Sequence, residues 1–286
     1  MSGSIMSGSI AFALCADDFA LSPGVTAGIL QALAAGRLTA TSAMTTQLGW
    51  PEAARAFKAL APDADLGLHF NLTLGGPLGD MPRFAPGGVF PSMNAIVPAA
   101  WRRNLPRAEI VDELRRQLDA FEAVHGAPPD YVDGHQHVHS LPGLADWLLD
   151  ELASRDLAGK CWLRDSADQP RRIFARARHW GKALTVAALG RGFRAKARKA
   201  GFVVNDGFSG FSDFDANYDY GADFATYLRA PGSRPLIMCH PGHVDAELAR
   251  LDPVTQSRDT ELDFLLSDRF VEILAAAGAR LARLSA

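Results

Sequence analysis

Residues 10–30 read IAFALCADDFALSPGVTAGIL, and the reading of this stretch decides the fold. The unbroken apolar run from Ile10 to Cys15 suits a strand buried on both faces, as in a parallel sheet. Asp17 and Asp18 end the run, and Pro23-Gly24 opens a segment of helical period that extends to about Gly36. Strand, polar turn and returning helix make one β/α unit.

The unit recurs along the chain. Strands are expected over residues 38–46, 66–72, 131–139, 161–164, 202–204 and 236–240, and helices over 51–60, 106–124, 142–157 and 258–277. Ile110, Leu114, Leu118 and Phe121, at spacings of three and four, make the helix over 106–124 amphipathic. A Gly/Pro-rich connection fills residues 75–106. Seven or so alternations predict an α/β fold, a single-domain distorted (β/α) barrel of TIM-barrel type rather than an open doubly wound sheet.

Composition narrows the partners. The 29 Lys and Arg nearly balance the 32 Asp and Glu, and a net charge of −3 argues against a nucleic-acid-binding surface. No apolar stretch reaches the roughly 18 residues needed to span a bilayer, so no transmembrane segment is expected and the protein reads as cytoplasmic. Cys15, Cys161 and Cys239 are widely spaced and odd in number, which reads as buried free thiols, not a disulfide framework. The MSGSI sequence occurs twice, at residues 1–5 and 6–10. Residues 1–9 are therefore expected to be a flexible or cloning-derived start, with one barrel domain over 10–286.

Four clusters carry chemistry. Asp17 and Asp18 are adjacent carboxylates at the end of a strand; each raises the other's pKa unless a cation lies beside them, although one of them could simply cap the following helix. In Gly67-Leu68-His69-Phe70-Asn71, His69 and Asn71 share one strand face. Taken alone, His69 reads as a hydrogen-bonded core residue. In Asp133-Gly134-His135-Gln136-His137-Val138-His139, a period of two puts Asp133, His135, His137 and His139 on one face, which calls for a metal, a hydrogen-bonded array or a wet cavity. A helical turn would instead bring His135 and His139 together at i, i+4. Finally, Pro241 and Gly242 force a turn that leaves His240 at the end of an apolar strand. Every cluster falls where a strand gives way to a loop, the face on which barrels build active sites. Imidazoles and carboxylates without a thiolate suit a divalent cation with open positions, and a spare carboxylate and histidine can move protons. This is metal-assisted hydrolysis of a carbonyl or phosphoryl centre.

The stretches CADDFALSPGVTAGI, GRLTATSAM, GLHFNLTLGGPL, DGHQHVH and CHPGH resemble, in order and spacing, the YdjC/ChbG family of carbohydrate deacetylases, which includes chitooligosaccharide deacetylase and the HpnK branch. The resemblance covers about residues 10 to 275. It implies a distorted (β/α) barrel and a divalent metal, Mg²⁺ in the family, with Zn²⁺ or another transition metal as an alternative. It also implies removal of acetyl groups from N-acetylated sugars, with a small-molecule or oligosaccharide substrate. Carried over by position, the metal ligands fall on Asp18, His69 and His135, the general base on Asp17, and the proton donor or oxyanion stabiliser on His240. Asn71, Asp133, His137 and His139 fall on positions that face substrate or support the ligands. Cys15 and Ala20 depart from the family's usual Asn and Gly, which puts the loop shape near the substrate in question.

Residues 171–199 hold ten Lys or Arg and no acid. Helical faces in solvent, or an oligomer contact, account for them more simply than an anionic ligand does. The apolar segment 262–277 offers a surface for a homodimer. Two other readings stay open: a metallohydrolase of amidohydrolase or phosphoesterase type, and a non-catalytic sugar-binding barrel.

Overall fold

The structure, a computed structural model, describes residues 9–215 and 217–285; the expected flexible start lies, except for residue 9, outside the described residues. In chain order the first half runs β1 (Ile10–Phe19), α1 (Pro23–Ala34), β2 (Ala40–Ala43), α2 (Trp50–Leu60), β3 (Asp65–Phe70), α3 (Met93–Trp101), α4 (Arg107–His125) and β4 (Tyr131–Gly134). After β4 come a 3-10 segment (His135–Ser140), α5 (Leu144–Ser154), β5 (Trp162–Leu163), α6 (Pro170–Arg176), α7 (Trp180–Leu189), α8 (Phe193–Lys199), β6 (Val203–Val204) and β7 (Phe208–Ser209). The chain closes with α9 (Tyr220–Tyr227), β8 (Leu236–Cys239), α10 (Leu248–Leu251), α11 (Gln256–Leu266), α12 (Asp268–Ala277) and β9 (Ala279–Leu281).

The strands form one parallel sheet in the order β6-β5-β4-β3-β2-β1-β8-β7, with β9 added beside the start of β1. The strands at the two edges, β6 and β7, are joined by residues 205–207 alone, a reach of at most roughly 14 Å between Val204 and Phe208. The sheet must therefore curl until its edges meet, and covalent linkage replaces the last hydrogen-bonded ladder. Asn205 seals the seam: its Oδ1 accepts from Asp165 N at 2.7 Å, and its Nδ2 donates to the Asp165 and Gly207 carbonyls at 3.0 Å. The distorted barrel expected from the β/α alternation is the fold observed.

β1 occupies the centre because its run from Phe12 to Ala16 has no polar side chain to hold in water, and it pairs with β2 and β8 through Cys15. α1 starts where expected. Ser22 accepts the Val25 N–H at 3.2 Å, and Pro23 takes a first-turn position that needs no donor. Ile110, Leu114, Leu118 and Phe121 form the buried stripe of α4 as their spacing implies.

Three expectations need correction. The strand expected over 131–139 ends at Gly134; Gln136 and His137 take left-handed backbone, φ 52° and 62°, and the chain turns as a 3-10 segment. The histidines therefore do not alternate across a pleat. The helix expected over 258–277 is two helices, broken at Ser267, whose extended backbone, ψ 162°, leaves the helical region. The connection over 75–106 contains α3. Among the described residues no helix is long and apolar enough to cross a membrane.

Candidate active site

The adjacent Asp17 and Asp18 side chains would point to opposite faces of a regular strand. Asp18 instead has φ +68°, and the β1–β2 register slips between Ala16 and Phe19. This bulge turns both carboxylates into one cleft of about 740 Å³ at the carboxyl ends of the strands. Ala20 follows with φ +74°, a backbone that glycine adopts without strain, so the alanine stands where the resemblance leads one to expect glycine and where glycine would be conformationally easier.

Around Asp18 the ends of β3 and β4 bring two imidazoles. His135 Nδ1 lies 3.0 Å and His69 Nε2 3.4 Å from Asp18 Oδ1, and one ligand atom from each of the three residues falls within 4.8 Å of the others. The remaining His69 nitrogen is occupied: Nδ1 lies 2.6 Å from Asp133 Oδ1, to which it donates, and 3.0 Å from Ser42 Oγ. A carboxylate behind an imidazole fixes its tautomer and directs the other nitrogen's lone pair forward, the arrangement found behind metal-ligating histidines. Asp18 Oδ2 is taken by Arg258 Nη2 at 2.7 Å, which leaves Oδ1 for the cluster. These residues fit a divalent cation. Two imidazoles with one carboxylate suit a transition ion such as Zn²⁺ better than Mg²⁺, which prefers an all-oxygen shell. Burial opposes charge on His69, yet the carboxylates of Asp133, Asp18 and Asp17 lift it to about 10, so the cluster is built to hold a positive charge.

Asp17 belongs to a different cluster. Arg164, at the end of β5, donates from Nη1 to Asp17 Oδ2 at 2.6 Å and from Nη2 to Oδ1 at 2.5 Å, and Nη2 also lies 2.6 Å from Asp133 Oδ2 and 3.0 Å from Cys15 Sγ. Cys15, Asp17 and Asp133 could by position form a second metal group, but the Arg164 guanidinium fills its centre. Against the upward push of burial, Arg164 holds the Asp17 carboxyl below the usual carboxylate range. The Cys15 thiol is pushed well up by burial, the Arg164 charge only partly opposing it.

His240 comes from the end of β8, with Nε2 3.9 Å from Asp17 Oδ2 and its ring edge-on to Phe214. Burial lowers its pKa, against the pull of Asp17 and Asp18. Its backbone N–H donates to Glu261 Oε2 at 2.6 Å, and the Pro-Gly turn behind it packs on α1, where a Cβ on Gly28 would lie 2.7 Å from Gly242 Cα. Glycine at both positions permits that approach and so sets the height of His240 in the cleft.

A model of the family described as YdjC-like protein matches residues 11–276. The chain belongs to that family. A chitooligosaccharide deacetylase of Proteus mirabilis is 30% identical over 275 residues, covering 93% of this chain and 94% of its own length. One of Serratia marcescens is 38% identical over 131 residues, 44% of this chain and 49% of its own. A putative cellobiose-phosphate cleavage protein of Enterococcus faecalis has the same fold, with a TM-score of 0.71 at 22% identity over 96% of this chain and 98% of that one.

In this YdjC-like chain Asp17, Asp18, His69, His135, His137 and His240 all line the cleft, while Asp133 stands behind His69. His137 faces the cleft, with Nδ1 3.1 Å from Ser166 Oγ. Asn71 and His139 do not line it. Asn71 staples the loop after β3: Nδ2 donates to Thr46 Oγ1 and the Leu74 carbonyl, and Oδ1 accepts from Thr73 N and Leu74 N. His139 is buried, with Nε2 2.8 Å from the Arg164 carbonyl and its ring against Phe193, so it fixes the end of β5. Of the six histidines in motifs, four reach the cleft; His243 sits outside it, 3.0 Å from Gln31 Oε1.

The sequence reading did not single out Arg164 or Arg258. Arg164 closes a short apolar strand, a weak signal; nothing local marks Arg258. It also missed the wall built by α7. Thr185, Val186 and Leu189 line the cleft from within the basic segment. The charges of that segment are largely spent internally: Arg172 and Arg176 on Asp168, Arg178 on Asp223, Lys182 on Asp213, Arg194 on Asp165 and Lys196 on Asp146.

Proposed function

We propose that this chain is a metal-dependent N-deacetylase of N-acetylated amino sugars, acting on chitooligosaccharides or related N-acetylglucosamine-containing substrates. The observation that carries the reading is the pairing of a three-residue ligand cluster with a separate, arginine-held carboxylate in one cleft. A divalent ion held by Asp18, His69 and His135 would supply Lewis-acid polarisation of the acetamide carbonyl.

The chain's own residues handle the proton. Asp17 is ionised and fixed by Arg164, so it orients a water and accepts its proton as the bond to the carbonyl carbon forms. The Arg164 charge makes Asp17 a poor resting place for that proton. His240, 3.9 Å away and neutral through burial, is the next acceptor and can deliver the proton to the amine nitrogen as the C–N bond breaks, giving acetate and the free amino sugar.

A non-catalytic sugar-binding role would leave the held Asp17 and the neighbouring His240 without a use. A phosphoesterase would gain from a fixed cation beside the metal, yet Arg258, the buried guanidinium of the cleft lining, is engaged by Asp18 and Asp252. The test is acetate release from N,N′-diacetylchitobiose by metal-loaded protein, with and without chelator. Chelator-sensitive release is expected; its absence with every divalent ion tried overturns the reading.

A further inference from the structure

Beside the main cleft lies a second hollow of about 420 Å³, lined by residues 177–182 and Asp213, within the size range of small-ligand sites. The two hollows share Gly181 and Lys182, so the second continues the first. Trp180 lines it, and Phe174 packs beside Trp180 just outside it. Trp180 and Phe174 are 53% and 57% exposed, with their rings 6.2 Å apart. Single exposed apolar residues are ordinary, but two large aromatic side chains in contact, one of them lining a hollow continuous with the main cleft, mark a binding surface.

The polar groups beside them are held rigid by one another. Arg178 Nε lies 2.7 Å from Asp223 Oδ1, Lys182 Nζ 2.9 Å from Asp213 Oδ1, and His179 sits between Asp223 and Asp213 at 2.6 and 3.3 Å. Arg178, Lys182 and Asp213 are each about half exposed or more, so they keep hydrogen-bonding capacity toward the hollow. A flat aromatic face edged by fixed charged donors and acceptors matches a sugar ring, whose C–H face is apolar and whose rim is hydroxyl. A protein partner would need a larger area than this hollow offers.

We propose that Trp180, backed by Phe174, is a distal subsite that binds a second or third sugar unit of the substrate while the N-acetylated unit occupies the cleft at Asp17 and Asp18. This rests on the deacetylase reading for the class of substrate, and it makes the enzyme selective for oligosaccharides over a single sugar. α7 joins the two sites, because Trp180 opens the helix whose Val186 and Leu189 line the main cleft.

The experiment is calorimetric titration of the metal-loaded full chain with N-acetylglucosamine, N,N′-diacetylchitobiose and N,N′,N″-triacetylchitotriose, for wild type, Trp180→Ala and Trp180→Phe. Wild type is expected to bind the trisaccharide at least about tenfold more tightly than the single sugar. Trp180→Ala should lose that gain with single-sugar affinity unchanged, and Trp180→Phe should keep most of it. Absence of a length gain in wild type, or a Trp180→Ala protein that retains it, overturns the subsite. Binding decides the subsite whether or not acetate is released, so failure of the deacetylase reading shows separately in the acetate assay.

Discussion

Arg164 holds both carboxylate oxygens of Asp17 in a fork, at 2.6 and 2.5 Å, and all three side-chain partners of its Nη2, namely Asp17, Asp133 and Cys15, are buried. The fork joins β1 to β5 across the barrel interior and fixes the direction of the carboxylate next to the ligand cluster.

Removing the guanidinium leaves the buried Asp17 without its bidentate partner and Asp133 with His69 alone. Arg164→Met should therefore cost about 3–5 kcal/mol of stability, read by urea unfolding. Arg164→Lys keeps a charge but not the fork, and should fold while losing about tenfold or more in kcat/KM. A Met variant within about 1 kcal/mol of wild type contradicts the role of the fork, on the same scale of buried-pair energies.

Asp17→Asn keeps the shape of the side chain and removes its ability to accept a proton. Acetate release should fall by about 10²–10⁴-fold, with metal content unchanged. Full activity in that variant removes Asp17 from the base position.

Asp133 touches His69 from behind and has no place in the cleft lining. Asp133→Asn should weaken metal affinity by about 10–100-fold, measured by competition with a chromophoric chelator. Asn71 gives the contrasting case. Its four side-chain hydrogen bonds shape the loop after β3 and tie it to Thr46 after β2, so Asn71→Ala should lose roughly 1–3 kcal/mol of stability and leave metal affinity as it was.

What the sequence made legible follows from the range of each interaction. Asp18, His69 and His135 could be set near strand ends because the apolar runs before them are local, but their role as ligands rested on the order and spacing of the motifs in the family resemblance. The triplet misled because a period of two assumes a continuing strand, whereas left-handed Gln136 and His137 turn the chain after Gly134. The turn sends His137 to the cleft and His139 beneath it. Arg164 and Arg258 were invisible because their meaning lies in partners 147 and 240 residues away. Phe174, an apolar residue in a basic helical segment, reads as a packed anchor, yet it is exposed together with Trp180, because which face of a short helix meets the core depends on distant elements.

Burial pushes Glu261 up to about 7 from an ordinary 4.5, while the His240 N–H and Arg258 pull it only partly back. Below pH 4.5 it is protonated in both folded and unfolded chains. Between the two values the unfolded chain loses the proton and the folded one keeps it, so stability falls as pH rises, by roughly 3 kcal/mol in all, and then levels off. Glu261→Gln keeps an acceptor for the His240 N–H and should flatten this part of the slope in urea unfolding followed between pH 4.5 and 7. An unchanged slope assigns the pH dependence elsewhere.

The most direct measurement is anomalous diffraction from crystals of the protein loaded with Co²⁺. A single strong peak within coordination distance of Asp18, His69 and His135 is expected. A peak among Cys15, Asp17 and Asp133, or none in the cleft at occupancy that supports acetate release, contradicts a metal-dependent deacetylase built on these three residues.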